Sequence, residues 1–519
     1  MNTLRSHVGG TWHQASSQLL DLVDPSTEEV IGRAGSHGID FRAVLDYARR
    51  MGGPALRALS FAERGQLLKG MSKVLREHRA ELLDLSRINN GTTVSDGAFD
   101  VDGATGVLAY YAAISRDLGN HFIAEDQVTQ IGKGEGFCTR HILLPRAGVA
   151  VHINAFNFPA WGFAEKAACS LLAGMPVITK PATATAIVTA RCIELIVESG
   201  ILPDGALQFI CGSTGDLLDL LGPQDVIAFT GSASTARALR TRPHLQSVNA
   251  RFNVEADSLN AAVLAPGADD DTFSLFIREV TREITQKAGQ KCTAVRRIIV
   301  PADVQDRVQD ALADRLGRIV TGNPADPEVR MGPLATRAQL DDALEGVAEL
   351  RREATVVVGN GLRTDGQGSP DGLGYFLSPT LLRLSDARAS AGVHRREVFG
   401  PVATLMPHDG SPAEAAAISG LGGGMLVTSV YTDDMDWLRT FVGAGGAHAG
   451  RVYIGSSASA PDAPGSGAAY PHSQHGGPGR AGDGAELGGR LGLGLYLQRV
   501  ALQGARGMLE IEGDARPTG

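Results

Sequence analysis

Cys292 is the cysteine whose surroundings suggest nucleophilic chemistry. It lies in residues 289–293, directly after an amphipathic run that ends at Lys287, and it follows Lys291. The thiolate is the reactive form of cysteine, and a helix end or a neighbouring lysine can lower a thiol pKa. This context is therefore compatible with a nucleophile whose pKa Lys291 lowers. The alternative is a structural cysteine, because most free cysteines pack as small apolar side chains.

Glu255 and Asn157 offer groups that a cysteine nucleophile would need. Glu255 ends an apolar, strand-like run. A carboxylate in an apolar pocket can have a raised pKa and act as a general base. Asn157 follows another strand pattern, and its amide could donate a hydrogen bond to an oxyanion. The alternatives are a solvated loop carboxylate and an Asn-rich turn.

Residues 229–235 run from a strand pattern into a helix pattern and contain Gly231, Ser232 and Thr235. Free amides and a hydroxyl at a helix N-terminus suit a pyrophosphate. The GxGxxG pattern of common dinucleotide-binding domains is absent. A Ser or Thr helix cap is the simpler alternative.

The elements that would position these residues alternate between strands and helices. Strands are predicted at residues 149–153, 176–180, 207–211, 226–229 and 297–300, and helices at residues 161–173, 186–198 and 304–319. This alternation predicts an α/β fold with a doubly wound parallel sheet, which binds ligands at the carboxyl ends of its strands. A second α/β segment begins near residue 260.

Bulk composition excludes several classes of partner. The formal net charge is -9, which argues against nucleic acid or an anionic membrane surface as the main partner. No apolar run approaches the roughly 20 residues of a membrane-spanning helix, and the N-terminus has no apolar secretory segment. The five cysteines are scattered without a CxxC pair. We therefore expect a soluble, cytoplasmic protein with reduced thiols and no metal.

Taken together, these segments resemble the aldehyde dehydrogenase superfamily. The family motifs are matched in family order by Phe156-Asn157-Phe158-Pro159, Lys180-Pro181, Gly231-Ser232, Glu255, Gln290-Lys291-Cys292 and Glu397-Val398-Phe399-Gly400-Pro401. Cys292 follows Glu255 by 37 residues and Asn157 by 135 residues, as in the family. The resemblance extends over essentially the whole chain, and the combination is far more specific than any one segment.

The resemblance implies a Rossmann-type cofactor domain, a second α/β catalytic domain and a small oligomerisation arm. The cofactor domain would comprise residues 1–119 and 148–256, and the catalytic domain residues 257–455. Residues 120–147 and 490–519 would form the arm, and residues 456–489 a loop region beside the active site. The arm in turn implies a homodimer or a dimer of dimers, since edge strands are better buried against a partner.

The resemblance also implies a role for each site residue. Cys292 would attack the aldehyde, Asn157 would stabilise the oxyanion, and Glu255 would activate the water that hydrolyses the thioester. Lys166 and Glu486 match family positions near the active site. Trp161 is a candidate wall of the substrate tunnel, although a core tryptophan is the simpler interpretation.

A second set of residues would contact the cofactor. It comprises Ile153, Phe156, Lys180, Thr183, Gly231, Ser232, Thr235, Ala256, Glu397 and Phe399. Lys180 would hydrogen-bond the adenosine ribose, and Glu397 the nicotinamide ribose. Many NAD-using relatives have Glu where this chain has Thr183, so we expect NADP to be preferred, with NAD possible.

Departures from the common motifs narrow the resemblance to one branch. Glu-Leu-Gly-Gly is replaced by Glu-Ala-Asp-Ser at residues 255–258, and Phe-Gly-Gly-x-Lys by His-Gly-Gly-Pro-Gly-Arg at residues 475–480. Ala236 occupies a position where glycine is frequent. These features resemble the semialdehyde dehydrogenases that act on CoA thioesters in aerobic aromatic degradation. The expected substrate is therefore a CoA-linked semialdehyde.

Alternatives remain within and outside this branch. The benzoate type is favoured over the dehydrogenase half of the phenylacetate ring-opening protein, because this chain is too short for that protein's extra hydratase-like domain. A free semialdehyde is a further possible substrate. A cysteine-dependent esterase and a non-enzymatic protein on the same fold are the rival functions. A non-enzymatic protein would be expected to have lost Cys292 or Glu255, and both residues are present.

Overall fold

The computed structural model describes residues 2–134 and 136–511. Within these residues, no helix combines the length and the apolar character that crossing a membrane requires. The strands are β1 (Ser6–Val8), β2 (Thr11–His13), β3 (Leu20–Val23), β4 (Val30–Ala34), β5 (Ile123–Ala124), β6 (Thr129–Gln130), β7 (Cys138–Pro145), β8 (Ala150–Ile153), β9 (Val177–Lys180), β10 (Leu207–Phe209), β11 (Val226–Thr230), β12 (Arg251–Glu255), β13 (Ala261–Leu264), β14 (Arg297–Pro301), β15 (Thr355–Val358), β16 (Thr380–Arg383), β17 (Val402–His408), β18 (Met425–Tyr431), β19 (Ala449–Gly455), β20 (Gln474–Gly477), β21 (Gly484–Leu487) and β22 (Leu497–Gly504).

The helices surround the sheets formed by these strands. They are α1 (Phe41–Tyr47), α2 (Gly53–Arg57), α3 (Phe61–Glu77), α4 (Arg79–Asn90), α5 (Val94–Ile114), α6 (Trp161–Leu172), α7 (Ala186–Glu198), α8 (Ala233–Arg240), α9 (Pro243–Val248), α10 (Asp270–Thr285), α11 (Gln305–Leu316), α12 (Arg337–Leu350), α13 (Pro412–Gly420), α14 (Met435–Gly445) and α15 (Arg506–Leu509).

The first large sheet has the strand order β12-β11-β8-β9-β10-β1-β2. Strands β8 to β12 are parallel, and β1 and β2 form an antiparallel edge. The chain leaves β8 towards β9 on one side, whereas β11 pairs with β8 on the other side. This reversal of strand order opens a crevice at the carboxyl edge of the sheet, the usual ligand site in such folds.

The second large sheet has the order β15-β16-β17-β14-β13-β18-β19. Its strands are parallel except for the antiparallel edge strand β15. Strands β13, β14 and β18 are entirely buried and rich in apolar and β-branched residues, as expected of strands covered on both faces. The helix α10 packs beside this sheet and begins at Asp270, and the carboxylate of the preceding Asp269 caps it by accepting from the amide of Thr272.

Three smaller antiparallel units complete the architecture. Strands β5, β6 and β22 all pair with β7, and β22 pairs with it over residues 497–504. The strands β20 and β21 form a hairpin in which His475 lies opposite Glu486. A further two-stranded sheet joins β3 and β4.

The predicted α/β fold is confirmed, and the element boundaries differ by a few residues. The strand expected at residues 207–211 ends at Phe209, and the helix expected at residues 304–319 spans Gln305–Leu316. Residues 456–489 contain the β20–β21 hairpin in addition to loops. The domain boundaries themselves stay a prediction, and residues 512–519 of the expected arm lie outside the described residues.

Candidate active site

A strained turn carries Cys292 from the end of α10 into the site. Lys287, Ala288 and Gly289 have φ values of 54°, 52° and 68°, three left-handed residues in succession. Such conformations are unfavourable for non-glycine residues and tend to occur at functional sites. The side-chain amide of Asn260 donates to the carbonyl oxygens of Cys292 at 2.8 Å and Ala294 at 2.9 Å. These bonds hold the turn in place.

Cys292 opens onto a cavity with an empty volume of about 510 Å³. The aromatic side chains of Phe99, Phe158 and Trp161 form one wall. Phe99 and Phe158 each pack edge-on against the indole, with centroid distances of 5.3 and 5.9 Å. Trp161 therefore satisfies both interpretations made from the sequence, because its buried ring belongs to the core and also lines the cavity.

Three side chains with reactive groups, those of Glu255, Cys292 and His475, meet in the lining of this cavity. Nε2 of His475 lies 3.0 Å from Oε1 of Glu255 and 3.7 Å from Sγ of Cys292. His475 and Glu255 are 5% and 3% exposed. They come from separate elements, because Glu255 ends β12 whereas His475 lies on the β20–β21 hairpin.

Lys291 lowers the pKa of Cys292, as expected, but larger effects outweigh it, so the expected net activation of the thiol is wrong. Nζ of Lys291 lies 2.7 Å from the carboxylate of Glu283 and donates to Oε1 of Gln286 at 2.8 Å. Burial, together with the charge of Glu255, raises the pKa of Cys292 well above its usual range. Desolvation disfavours the thiolate, and the carboxylate beside it adds repulsion, so the thiol retains its proton in this site.

The raised pKa expected for Glu255 is also wrong. Burial alone would raise it, but the charge of His475 and its hydrogen bond to the carboxylate outweigh that effect. The pKa of Glu255 therefore lies well below the ordinary value. The local sequence around residue 255 contains no sign of this partner, which is 220 residues away.

A buried chain of charges continues from Glu255. Nζ of Lys166 lies 3.1 Å from Glu165 and 3.1 Å from Glu486. The amide of Asn253 donates to Oε1 of Glu486 at 3.0 Å. Burial raises the pKa of Glu165 to about 7, and the neighbouring Lys166 opposes that rise. Lys166 and Glu486 thus lie beside the reactive cluster, as their motif positions predicted.

Asn157 lies where the first sheet meets the turn of Cys292. Its side-chain nitrogen donates to the carbonyl oxygen of Gln290 at 3.0 Å, and the residue is buried. An amide nitrogen carries two hydrogens, so one remains for a second acceptor. Asn157 and Cys292 also line the same cavity.

The expected cofactor residues mostly follow strands of the first sheet at its carboxyl edge. Ile153 ends β8, Lys180 ends β9, and Gly231 follows β11. Burial lowers the pKa of Lys180, and this cation makes no ion pair with any residue in 2–134 or 136–511. A half-buried, unpaired ammonium fits a ribose hydroxyl or a phosphate. Thr183 begins a short 3₁₀ helix directly after this strand.

The helix N-terminus after Gly231 is less open than expected. The amide of Gly231 donates to the carbonyl of Glu255, and the amide of Ala233 donates to Asp257 at 2.8 Å. The hydroxyl of Ser232 accepts from the amide of Thr235. These amides are therefore not free, although the side chains of Ser232 and Thr235 remain exposed. The simpler interpretation, a serine helix cap, describes this turn.

Ala256 directly follows Glu255 and precedes Asp257, the residue that accepts from the amide of Ala233. It is buried, and its amide donates to the carbonyl of Ala481 at 3.0 Å. Any contact between Ala256 and a cofactor would therefore have to use a group other than this amide.

Glu397 and Phe399 approach the same crevice from the second sheet. Oε2 of Glu397 accepts from the amide of Ser258 at 2.9 Å, and burial raises the pKa of Glu397 to about 7 against the opposing charge of Arg296. The ring of Phe399 lies 5.7 Å from that of Phe156 and 5.3 Å from the guanidinium of Arg296. A carboxylate and an edge-to-face aromatic pair suit the hydroxyls and the flat base of a nucleotide, so the residues fit a dinucleotide.

His475 and Glu165 were not assigned a function from the sequence. His475 occurs in the replacement of the common Phe-Gly-Gly-x-Lys motif, and that substitution was the available signal. Glu165 precedes Lys166 on a helix that is otherwise largely apolar. A carboxylate on a buried helix face is unusual, and it could have been singled out on that ground.

Comparisons with known proteins agree with this geometry. The sequence profile described as Aldehyde dehydrogenase family matches residues 12–493. The chain is 43% identical over 479 residues to the 3,4-dehydroadipyl-CoA semialdehyde dehydrogenase of Aromatoleum evansii, covering 92% of this chain and 93% of the relative. It is 28% identical to a probable betaine aldehyde dehydrogenase of Schizosaccharomyces pombe over 81% of this chain and 82% of that protein.

Solved structures share the fold at lower identity. Betaine aldehyde dehydrogenase from Staphylococcus aureus, in complex with NAD+, superposes with a TM-score of 0.83 at 24% identity, covering 97% of this chain and 95% of its own. A lactaldehyde dehydrogenase gives a TM-score of 0.85 at 24% identity, covering 96% and 99%. The chain belongs to the aldehyde dehydrogenase family and is an NAD(P)-dependent aldehyde dehydrogenase.

Proposed function

We propose that this enzyme oxidises 3,4-dehydroadipyl-CoA semialdehyde to the free carboxylic acid, with NADP as the preferred cofactor. The observation that carries the substrate is the 43% identity, over 92% of the chain, to a relative named for that aldehyde. The same proposal includes a cytoplasmic location and a homodimer or a dimer of dimers.

Cys292 forms a thiohemiacetal with the aldehyde carbon in this proposal. The oxygen that becomes negative lies near Asn157, whose amide has a hydrogen left after its bond to Gln290. When bound, the nicotinamide cofactor supplies the two-electron acceptor that turns the thiohemiacetal into a thioester. Lys180 and Glu397 would hold its two riboses, and Phe399 would contribute an aromatic face to the same crevice.

Glu255 is the base for the second half of the reaction. It takes a proton from the water that attacks the thioester, and Cys292 leaves. Aldehyde dehydrogenases that pass the acyl group to CoA generally lack this glutamate, so its presence favours water as the acyl acceptor. CoA would thus be part of the substrate and would not be the attacking thiol.

The cavity suits an unsaturated acyl chain. Its wall of Phe99, Phe158 and Trp161 would contact apolar carbons, and Cys292 lines the same cavity. The CoA portion would remain outside, where its binding energy can position the aldehyde. Removal of CoA should therefore lower kcat as well as affinity.

The test measures reduced cofactor with 3,4-dehydroadipyl-CoA semialdehyde and with the same semialdehyde lacking CoA. The assay is run with NAD and with NADP. We expect kcat/KM to fall at least about tenfold without CoA, equal to about 1.4 kcal/mol. Equal use of the free semialdehyde would overturn the CoA-linked substrate.

Two alternatives are resolved in the same assay. The ring-opened CoA semialdehyde of the phenylacetate pathway is the competing substrate, and higher kcat/KM with it would reassign the pathway. Cofactor-independent hydrolysis of an activated ester, without oxidation of any aldehyde, would instead identify a cysteine-dependent esterase.

A further inference from the structure

Three arginine side chains donate hydrogen bonds to backbone carbonyl oxygens of the loop between β19 and β20. This arginine row consists of Arg278, Arg282 and Arg451. The accepting oxygens, in the same order, belong to Ala460, to Pro464, and to both Ser466 and Ala468, at distances of 3.2, 2.8, 2.9 and 2.6 Å. The row therefore follows the loop from residue 460 to residue 468.

The inner end of the row lies beside the candidate active site. Burial lowers the pKa of Arg451, and the neighbouring Cys292 and Glu283 oppose that shift. Gly467, between the two carbonyl groups that Arg451 binds, lines the cavity, and its own carbonyl oxygen accepts from the hydroxyl of Thr293 at 2.9 Å. The loop that the row binds therefore forms part of the cavity wall next to the proposed nucleophile.

The outer end of the row reaches solvent. Arg278 and Arg282 lie one turn apart on the same face of α10, and α10 ends shortly before the turn of Cys292. Arg278 is exposed, and the side chain of Arg282 is 41% exposed. Both positive charges act on Tyr453, where they oppose the burial that raises the pKa of its hydroxyl, so the two guanidinium groups lie near one point. The row thus leads from the cavity wall to the surface.

The two outer guanidinium groups keep most of their binding capacity. A guanidinium has five N–H donors, and a loop carbonyl occupies one donor of Arg278 and one of Arg282. Glu279 is buried and accepts from two tyrosine hydroxyls, and Glu283 is buried and pairs with a lysine at 2.7 Å. Asp462 is exposed on the loop. Residues 278–283 and 456–469 therefore present two guanidinium groups and one carboxylate to solvent.

We propose that Arg278 and Arg282 bind the phosphate groups of a CoA thioester whose acyl chain enters the adjoining cavity. The inference rests on the CoA-linked substrate of the proposed function, and it adds the residues that recognise the CoA portion. Guanidinium groups bind phosphate oxygens through pairs of parallel hydrogen bonds and remain charged at any pH of interest.

The chemistry of CoA matches the direction of the row. CoA carries its phosphates at the end of the pantetheine arm that is remote from the thioester, and the aldehyde is at the other end of the acyl chain. The aldehyde can therefore reach Cys292 while the phosphates stay at the surface beside Arg278. Arg451 is a positioning residue in this arrangement, because it contacts the loop that forms the cavity wall between the two ends of the substrate.

The experiment compares 3,4-dehydroadipyl semialdehyde as its CoA thioester with the same semialdehyde as its pantetheine thioester, which lacks the phosphates and the nucleoside. Values of kcat and KM are measured at saturating NADP for the wild type and for Arg278→Gln, Arg282→Gln and the double variant. We expect the double variant to reduce the preference for the CoA thioester, the ratio of the two kcat/KM values, by at least about tenfold, chiefly through KM. Added salt should raise the wild-type KM for the CoA thioester more than that of the double variant, because ions screen exposed charges.

Two sets of variants control for the loss of an arginine as such. Arg307→Gln is the matched control, because Arg307 is also half exposed and contacts α10, but it stacks on Phe273 and pairs with Asp270 near the start of that helix. It should keep the wild-type preference. Arg278→Lys and Arg282→Lys retain the charge without the paired hydrogen bonds, so each should keep more of the preference than the glutamine variant. Near-UV circular dichroism and cofactor binding confirm that each variant is folded.

The outcomes distinguish this inference from the proposed function. An equal loss of kcat/KM with both thioesters in the double variant would show that the arginines only hold the loop, and an unchanged preference would show that the phosphates bind elsewhere. Either result would overturn the inference. A wild type that uses both thioesters equally, yet prefers them to the free semialdehyde, would overturn it as well and leave the proposed substrate class intact. Equal use of the free semialdehyde would overturn the proposed CoA-linked substrate and this inference together.

Discussion

The side-chain amide of Asn157 donates to the backbone carbonyl of Gln290 at 3.0 Å, which connects the loop after β8 to the turn that carries Cys292. Asn157 follows the first large sheet, whereas Gln290 precedes β14 of the second. The proposed nucleophile and the amide that would stabilise its oxyanion are therefore connected by one direct contact between residues of the two halves of the enzyme.

Replacement of Cys292 should abolish dehydrogenase activity. We expect Cys292→Ala to lower kcat by at least about 10³-fold, because no neighbouring group can form the thioester. The measurement is formation of NADPH at saturating aldehyde. Cofactor affinity, followed by fluorescence, should stay near the wild-type value.

A second cysteine provides the control for that substitution. Cys169 is buried on α6 near the same charge chain, but it does not line the cavity. Cys169→Ala should retain turnover. Rapid NADPH formation by Cys292→Ala would show that the nucleophile is another residue.

Glu255→Gln should separate the two halves of the reaction. The thioester can still form, but its hydrolysis lacks a base, so a burst of NADPH should precede a slow steady phase. Stopped-flow absorbance at the wavelength of the reduced nicotinamide records both phases. Normal steady turnover without a burst would contradict the role of Glu255.

Thr183→Glu should change the choice of cofactor. A carboxylate beside Lys180 would repel the 2′-phosphate of NADP and could accept the ribose hydroxyls of NAD. We expect kcat/KM to fall more for NADP than for NAD, and Thr183→Gln controls for side-chain size. A wild-type enzyme at least as efficient with NAD would rule out the preference.

Cofactor affinity should depend on pH through Glu397. Burial raises the pKa of its carboxyl to about 7, so the group is neutral below that pH and ionised above it. Ribose hydroxyls donate more strongly to an ionised carboxylate. The Kd for NAD should therefore decrease as pH rises from about 6 to about 8.

Glu397→Gln provides the comparison for this titration, because an amide keeps its charge constant across that range. Calorimetry at each pH should give a nearly constant Kd for the variant. An equally steep pH dependence in the variant would assign the titration to another group.

We predict self-association through the small sheet in which β5, β6 and β22 pair with β7. After the buried Leu497, the edge strand β22 alternates half-buried and exposed residues, and a partner could pair with its free edge. Light scattering at micromolar concentration should give the mass of a dimer or a tetramer. Removal of residues 497–519 should shift the mass towards the monomer, and a wild-type monomer would contradict the prediction.

The sequence predicted much of the fold because its signals are local. The apolar runs of β8, β9, β11 and β14 and the helical spacing of α6 and α7 depend on residues within one element. The order of the motifs led to the proposed nucleophile, its candidate base and the Asn turn, which the structure brings to one cavity. Local patterns could not establish that Lys291 pairs with Glu283 or that the amide of Ala233 donates to Asp257, since each depends on tertiary placement.

The electrostatics of the site were harder to predict for the same reason. Glu255 was expected to have a raised pKa from its apolar neighbours, but its nearest charge comes from His475 on a distant hairpin. The sign of such a shift is decided by whichever effect is larger, desolvation or a close opposite charge. Only the folded structure reveals whether desolvation or the opposite charge has the larger effect.

The left-handed turn before Cys292 limits which substitutions this enzyme can accept during evolution. A side chain at residue 289 would place its Cβ 2.2 Å from the carbonyl oxygen of Gly400, three residues after Glu397. Only glycine at 289 allows the loop before Cys292 to lie this close to the loop that contains Gly400. Substitutions in the loop of Glu397 must keep that space open, so the proposed cofactor residue Glu397 and the proposed nucleophile Cys292 constrain each other's evolution.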